Sequence, residues 1–522
     1  MKGNILFLFI FILKTNLFAQ VPTIQWQKSY GGTRDDVAYS SCNTRDGGYM
    51  VIGAADSEDG NITNHIGPGS DVWLLKLDSI GNLKRNKCYG GDYSDEGTSI
   101  KQSFDGGYIF SGSTDSEDGD VSGLHGFLSP DFWVVKIDST GIIQWQKCLG
   151  STERDEATDI IQTSDSGYLV TGYTSWLDGD VIGFHGGEDI WVVKLDKNGI
   201  KQWSKSLGGS DYDFDGYCVQ KKDGNYLITG STLSLDGDVT GLHGPGTDVW
   251  VVELNSLGQI IWQKCYGGSA TENPNKIILA NDGGFFISAT TSSSDGDVTG
   301  YFGNVDFWLM KADSLGNIMW QKCLGGSSIE AAFSANSTSD GGIVMVGVAY
   351  QNDSMVSGTH GLYDYWVCKM DSSGNFQWGK ALGGTGDDYP YSIQETADGG
   401  YLIAGSTESN NGDVTSNHGG KDYWIVKLAP LGITVPELEN SFMELNIFQS
   451  NNQLNLRYFS KHNQKAQLFL YDVNGKKVFE KSISINEGIN YNTVSIAGLA
   501  GGMYFVRMDG EKGWQGGKVV IE

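Results

Sequence analysis

Apolar and polar residues alternate with a period of two along nearly the whole chain. In Asp131–Gly150, DFWVVKIDSTGIIQWQKCLG, Phe132, Val134 and Ile137 alternate with polar neighbours, and Ile143, Trp145 and Lys147 resume the alternation after Asp138-Ser139-Thr140-Gly141. The pattern predicts two strands joined by a tight turn. The Asp-x-Trp that opens this hairpin recurs at Asp71, Asp131, Asp189, Asp248, Asp306, Asp364 and Asp422. Its tryptophans, Trp73, Trp133, Trp191, Trp250, Trp308, Trp366 and Trp424, are spaced by 60, 58, 59, 58, 58 and 58 residues. Seven copies of one β-unit predict a propeller or a β-solenoid.

Within each copy the alternation places two more strands before the hairpin, such as Glu156–Thr163 and Tyr168–Thr174, separated by Asp165-Ser166-Gly167. Four antiparallel strands with glycine at the turns make up a propeller blade. The ends decide between the two architectures. Ile24–Lys28 reads as a fourth strand with no blade before it, and Trp424–Lys427 as a third strand cut short by Ala429-Pro430. Pairing Thr23–Lys28 with Asp422–Leu428 completes a seventh blade and removes the exposed edges. The fold class expected is all-β: a seven-bladed β-propeller, blade seven closed by the N-terminal strand, followed by a small β-sandwich.

The N-terminus breaks the period. Lys2, the nine-residue apolar run Ile5–Leu13 and the small Ala19 describe a secretory signal peptide, residues 1–19, too short to span a bilayer. No transmembrane segment is expected after it. The propeller is assigned to 20–430, a linker to 431–442 and a C-terminal domain to 443–522.

Composition agrees with this division. The 522 residues include 74 Gly and only 8 Pro, with 12% aromatics, which suits short strands and glycine turns. The net charge of −27 excludes nucleic acid and adsorption to an anionic membrane. All of that excess lies in the repeats, because the chain from Glu437 onward carries nine acidic and nine basic side chains. Four of the seven cysteines, Cys88, Cys148, Cys265 and Cys323, share one repeat position. Equivalent positions in separate units lie too far apart to bridge, so buried thiols are expected rather than disulfides.

One register is unvarying. Lys28, Lys87, Lys147, Lys205, Lys264, Lys322 and Lys380 lie four residues before the second position of the Gly-Gly, and Asp36, Asp95, Asp155, Asp213, Glu272, Glu330 and Asp388 four residues after it. The carboxylates open the innermost strands and are expected to ring the channel mouth. The local reading has each one capping backbone N–H groups or pairing with a lysine, and the sharper one a cation on the axis. A feature present in every copy is what the repeat itself needs, so the ring is read as structural. Asp-Gly-Asp at 118–120, 178–180, 236–238 and 295–297 has oxygens suited to Ca²⁺ but lacks an EF-hand frame, and is read as an acidic turn. Histidines 65, 125, 185, 243, 360 and 418 stand singly in the same loops and are read as packed or hydrogen-bonded residues. No cofactor or metal is assigned.

Symmetry breaks mark candidate binding residues. Trp176 replaces a common Ser, and Tyr212-Asp213-Phe214 sets aromatics beside acids; Trp176, Tyr212, Asp213 and Phe214 together suit a glycan or a peptide. No catalytic residue is assigned, since no nucleophile elbow, P-loop, His-Glu-x-x-His or Cys-x-x-Cys occurs.

The repeat, W-Q-K-x-L-G-G, an acid, D-G-G-Y-x-x-x-G-S-T and D-x-W-V-V-K-L-D, resembles the bacterial β-propeller repeat of exported proteins over residues 24–428. That likeness implies a fold and an extracytoplasmic setting, with no activity attached. The tail reads as about seven short strands, and L-Y-D-V-N-G-K-K-V, G-L-A-G-G-M-Y-F-V-R and K-V-V-I-E resemble a type A C-terminal sorting domain of the type IX secretion system. Tyr471, Asn474, Gly475, Leu499, Gly502, Tyr504, Val506 and Lys518 match. The resemblance implies passage across the outer membrane, cleavage by a sorting protease and, often, attachment at the surface. An ordinary adhesive sandwich is the alternative for this domain. For the whole chain the sequence supports a secreted or cell-surface binding or adhesion module. An extracellular enzyme with carboxylates at the channel mouth and a purely structural surface component are the alternatives.

Overall fold

The computed structural model describes residues 21–431, 442–450, 453–460, 463–472, 476–510 and 513–521. The signal peptide assigned to 1–19, nearly all of the linker 431–442, and Asn474 and Gly475 lie outside these residues. The chain divides into two compact units, ending and beginning at Leu431 and Gly432. Among the described residues every element is a strand, and none is a helix able to cross a membrane.

The first unit repeats a four-stranded antiparallel sheet. In sheet three, Asp155–Gln162, Tyr168–Thr174, Asp189–Leu195 and Lys201–Leu207 pair in chain order. The other sheets open on Asp36–Asn43, Asp95–Gln102, Asp213–Gln220, Glu272–Leu279, Glu330–Ser337 and Asp388–Glu395. The last of these continues through Tyr401–Thr407 and Asp422–Leu428, and its fourth strand is Ile24–Tyr30, from the other end of the unit. Each first strand contacts the next, and Asp388–Glu395 contacts Asp36–Asn43. The backbone follows the same order: Asp95 N–H donates to the Ser70 carbonyl at 2.7 Å, and Asp36 N–H to that of Lys421 at 2.6 Å.

Local chemistry explains the elements. Asp138 Oδ1 accepts from the Thr140 and Ile142 amides at 2.7 and 3.0 Å, an Asx turn that folds the hairpin back. The equivalent turn in sheet three carries Gly199 at φ +77°, where a Cβ would lie 2.8 Å from the Trp145 ring of sheet two. Only glycine lets the turn rest on that indole. Third strands such as Asp131–Ile137 and Asp189–Leu195 are buried at every residue, because neighbouring sheets cover both faces. Their tryptophans are fully buried, and Trp73, Trp191, Trp366 and Trp424 meet an aromatic of the preceding sheet, as Phe132 does Trp191 at 4.8 Å between ring centres and Tyr423 does Trp73 at 4.6 Å. Full burial of each indole contributes on the order of 3 kcal/mol or more. All seven cysteines are free thiols, six of them buried.

The second unit is a two-sheet sandwich. Gln453–Ser460 pairs with Phe442–Ser450 and Gly488–Ser495; Gln464–Asp472 pairs with Lys477–Ile485 and Gly502–Gly510, which pairs with Gly513–Ile521. Alternate residues of both sheets, among them Leu454, Leu456, Leu468, Leu470, Val506 and Met508, form one core. Tyr504 and Val506 belong to that core, Leu499 packs against it, and Tyr471 is half-buried.

Candidate functional site

The repeated carboxylates are buried beneath their loops. Asp36, Asp95, Asp155, Asp213, Glu272, Glu330 and Asp388 have no exposed surface. Each accepts a hydrogen bond from the backbone amide four residues earlier, as Asp95 Oδ2 does from Gly91 at 2.8 Å and Glu272 Oε2 from Gly268 at 2.8 Å. Each also faces a second carboxylate, the Asp-x-Trp aspartate of the preceding sheet. A methyl group on Gly208 would lie 2.6 Å from Asp213 Oδ2 and 2.7 Å from Asp189 Oδ1; Gly267 sits likewise between Glu272 and Asp248, at 2.6 Å from each. Glycine is what lets the two acids close over the chain.

Burial pushes Asp71 up to about 7 and Asp95 and Asp155 up to about 6, and the facing carboxylate adds to it at Asp71 and Asp155. In all seven Asp-x-Trp aspartates, Oδ1 has no hydrogen-bond partner among the described residues. Oδ2 is occupied: it accepts from the histidine loop, with His125 Nδ1 at 2.6 Å from Asp131 and His185 Nδ1 at 2.8 Å from Asp189. Where Phe302 replaces histidine, its backbone amide keeps the bond to Asp306, at 2.6 Å. The first Asp of each Asp-Gly-Asp turn also caps a loop: Asp118 Oδ1 accepts from the Asp92 amide at 2.8 Å, Asp236 Oδ1 from that of Ser210 at 2.7 Å. Among the described residues, no three His, Cys, Asp or Glu side chains are grouped to hold a metal ion.

Trp176, Tyr212, Asp213 and Phe214 are not all exposed. Trp176 is 54% exposed on the sheet-three loop and Tyr212 51% exposed before sheet four, while Asp213 is buried in its carboxylate pair and Phe214 is half-buried. Strand alternation turns Asp213 inward, away from its aromatic neighbours. The Trp176 replacement is compensated. In sheet two the serine at its position, Ser116, donates to Asp95 Oδ2 at 2.9 Å and accepts from the Tyr93 amide at 3.0 Å. In sheet three Ser151, standing where other copies have glycine, donates to Asp155 Oδ2 at 2.8 Å and accepts from the Glu153 amide at 3.2 Å. With the inner hydroxyl supplied elsewhere, the indole is free to face water.

A different constellation lines a cavity between the first strands. One cavity of about 440 Å³ is lined by the later residues of all seven first strands, including Tyr39, Lys101, Asp159, Tyr217, Lys276, Phe333 and Tyr391. Asp159 is 1% exposed, with Oδ2 2.8 Å from Lys276 Nζ and Oδ1 accepting from Ser99 Oγ at 2.9 Å. Lys101 Nζ lies 3.8 Å from the same carboxylate. Burial tends to raise the Asp159 pKa, and the two ammoniums more than offset it, so the group is held below the usual carboxylate range. Lys276 Nζ also sits 5.5 Å over the Tyr217 ring. Opposite, Tyr39, Tyr391 and Phe333 form an aromatic wall, with ring centres 5.2 and 5.4 Å apart.

Sequence reasoning passed over this cluster, yet its signal was available. Four residues beyond each repeat carboxylate stand Ser40, Ser99, Asp159, Tyr217, Lys276, Ser334 and Ser392. Serine is the rule there, and three consecutive sheets break it with a carboxylate, a phenol and an ammonium.

Residues 450–522 match the secretion system C-terminal sorting domain family. No curated protein matches the chain. Among solved structures, it is similar to the extracellular domain of a hybrid two component system from B. thetaiotaomicron at 11% identity and TM-score 0.42, covering 94% of this chain and 57% of that one. It is similar to the Neurospora crassa Pan2 WD40 domain at 11% identity and TM-score 0.40, covering 76% of this chain and 89% of that one. It is similar to puromycin hydrolase at 10% identity and TM-score 0.45, covering 82% of this chain and 59% of that one. At such distances no activity transfers. The chain is thus a repeated-sheet, propeller-like β-protein bearing a type IX sorting tail. It is exported to the cell surface or the extracellular space.

Proposed function

We propose that the chain is a seven-bladed propeller, its ring closed by Ile24–Tyr30, that serves outside the cell as a binding module and takes its ligand into the axial cavity. In this reading residues 1–19 are a signal peptide, and the tail engages the secretion machinery and is removed by its sorting protease. The observation that carries the binding role is the break in repeat symmetry at Asp159, Tyr217 and Lys276, where side chains from separate sheets converge on one cavity. Sheets bound only to pack would repeat serine there, as four of them do. The cavity volume falls in the roughly 300–1,000 Å³ range usual for small-ligand sites.

A glycan array probed with the full chain tests this. Binding is expected in Trp176→Ala and lost in Ser334→Trp, which fills the cavity at a position where sheet four already carries an aromatic, Tyr217. Hits that survive Ser334→Trp, or no hits at all, overturn the cavity as the binding site.

A further inference from the structure

The cavity is also electrically unbalanced. Two ammoniums, Lys101 and Lys276, face a single carboxylate, and no other charged side chain lines the space among the described residues. Lys276 and Ser99 already occupy the two oxygens of Asp159. Lys101, with three N–H donors, is left with the Ser99 hydroxyl at 3.3 Å and the shared carboxylate at 3.8 Å. Burial pushes its pKa down against the pull of Asp159. The cavity thus sets two lysines against one carboxylate in a chain whose net charge is −27.

Two further features bear on what would balance it. Asn275 also lines the cavity, and its side-chain amide can donate to or accept from a hydroxyl. Across the cavity the Tyr39–Tyr391–Phe333 wall offers ring faces and edges against which a flat, partly apolar body can pack. An oxyanion, a hydroxyl and a ring face are found together on an acidic sugar. We propose that the axial cavity binds an acidic monosaccharide unit, its carboxylate or sulfate ester against Lys101, a hydroxyl on Asn275 and its ring on the aromatic wall. This rests on the binding-module reading above and adds the ligand's chemistry.

Calorimetric titration of the full chain at pH 7 with glucuronate, glucose 6-sulfate, glucose, acetate and tetraglutamate tests it. Glucuronate or glucose 6-sulfate is expected to bind at least tenfold more tightly than glucose or acetate, and the stronger of the two names the oxyanion. Lys101→Met is expected to lower that affinity at least tenfold without lowering the melting temperature, since it removes an ammonium that has no full counter-charge. Asn275→Leu is expected to weaken the sugars while leaving acetate unchanged. No binding of either acidic sugar, acetate binding as tightly as they do, or binding of tetraglutamate in their place overturns the proposal. If the acidic sugars fail while Ser334→Trp still abolishes a hit on the array, the ligand class is wrong and the cavity stands. If array hits survive Ser334→Trp, the cavity itself falls.

Discussion

At the scale of single residues, the chain shows how a buried carboxylate is kept satisfied in more than one way. Asp155 receives its hydroxyl from Ser151 because Trp176 displaced the serine used elsewhere. Ser151→Gly is expected to cost about 1 kcal/mol, the usual contribution of one hydrogen bond, since the residue-151 amide still donates to Asp155 Oδ2. Trp176→Ser alone should be near neutral, and Ser151→Gly with Trp176→Ser together should restore stability. Chemical denaturation of the four proteins checks this; additive losses would deny the exchange. The carboxylate pairs make a pH prediction. Asp71 and Glu330 are raised to about 7 and Asp306 to about 6, each chiefly by burial. The folded chain therefore binds protons that the unfolded chain has already released above about pH 4, and stability is lost as pH rises through 6 to 7. His125, raised by its bond to Asp131, acts in the same direction. Melting temperature should climb on going from pH 8 to pH 5.5. Asp71→Asn should raise it at pH 8 and flatten the profile, because an amide can accept from the Ile66 amide while offering a donor to Asp95.

At the scale of the element, each hairpin turn is tied to the third strand by an ion pair, as in Lys194 Nζ to Asp165 Oδ2 at 2.9 Å. In sheet four Glu253 replaces the lysine and meets Lys221 at 2.8 Å, the retained turn aspartate Asp223 lying 3.5 Å from the same ammonium, with Trp262 Nε1 donating to Glu253 at 2.7 Å. Glu253→Lys is expected to destabilise by about 3 kcal/mol or more by setting like charges together with little solvent, and Lys221→Thr should recover part of the loss. Equal melting temperatures for the wild type and Glu253→Lys would refute the exchange. Most of the strands were legible in the sequence, since a period-two pattern repeated at a fixed spacing is hard to mistake, and the Asx turns announce themselves through Asp and Gly. Pairing of the histidines with Asp131 or Asp189 was not legible, because the bond depends on how a long polar loop folds back over a strand end. Asp213 reads both as one of the repeat carboxylates and as part of a cluster with Tyr212 and Phe214; its burial against Asp189, 24 positions away, fits the first. Lys101, Asp159 and Lys276 come from three sheets, and only superposing the repeats brings them to one place.

At the scale of the molecule, Ile24–Tyr30 pairs along its length with Asp422–Leu428. Deleting residues 21–30 is expected to bare the edge of an entirely buried strand and to produce association on size-exclusion chromatography, with recovery when a peptide of residues 21–30 is added. A monomer with unchanged melting temperature would count against the closed ring. The same pairing bears on folding order. The two strands lie some 400 residues apart in the chain, so six sheets can form as the chain lengthens while the seventh waits for both ends. Loop closure rises by only about 0.6 kcal/mol for each doubling of length, so the delay is paid in time rather than in stability. In the proposed ring the margin stays open until the first strand meets the last, and that interval is expected to be the one most exposed to aggregation and to proteases.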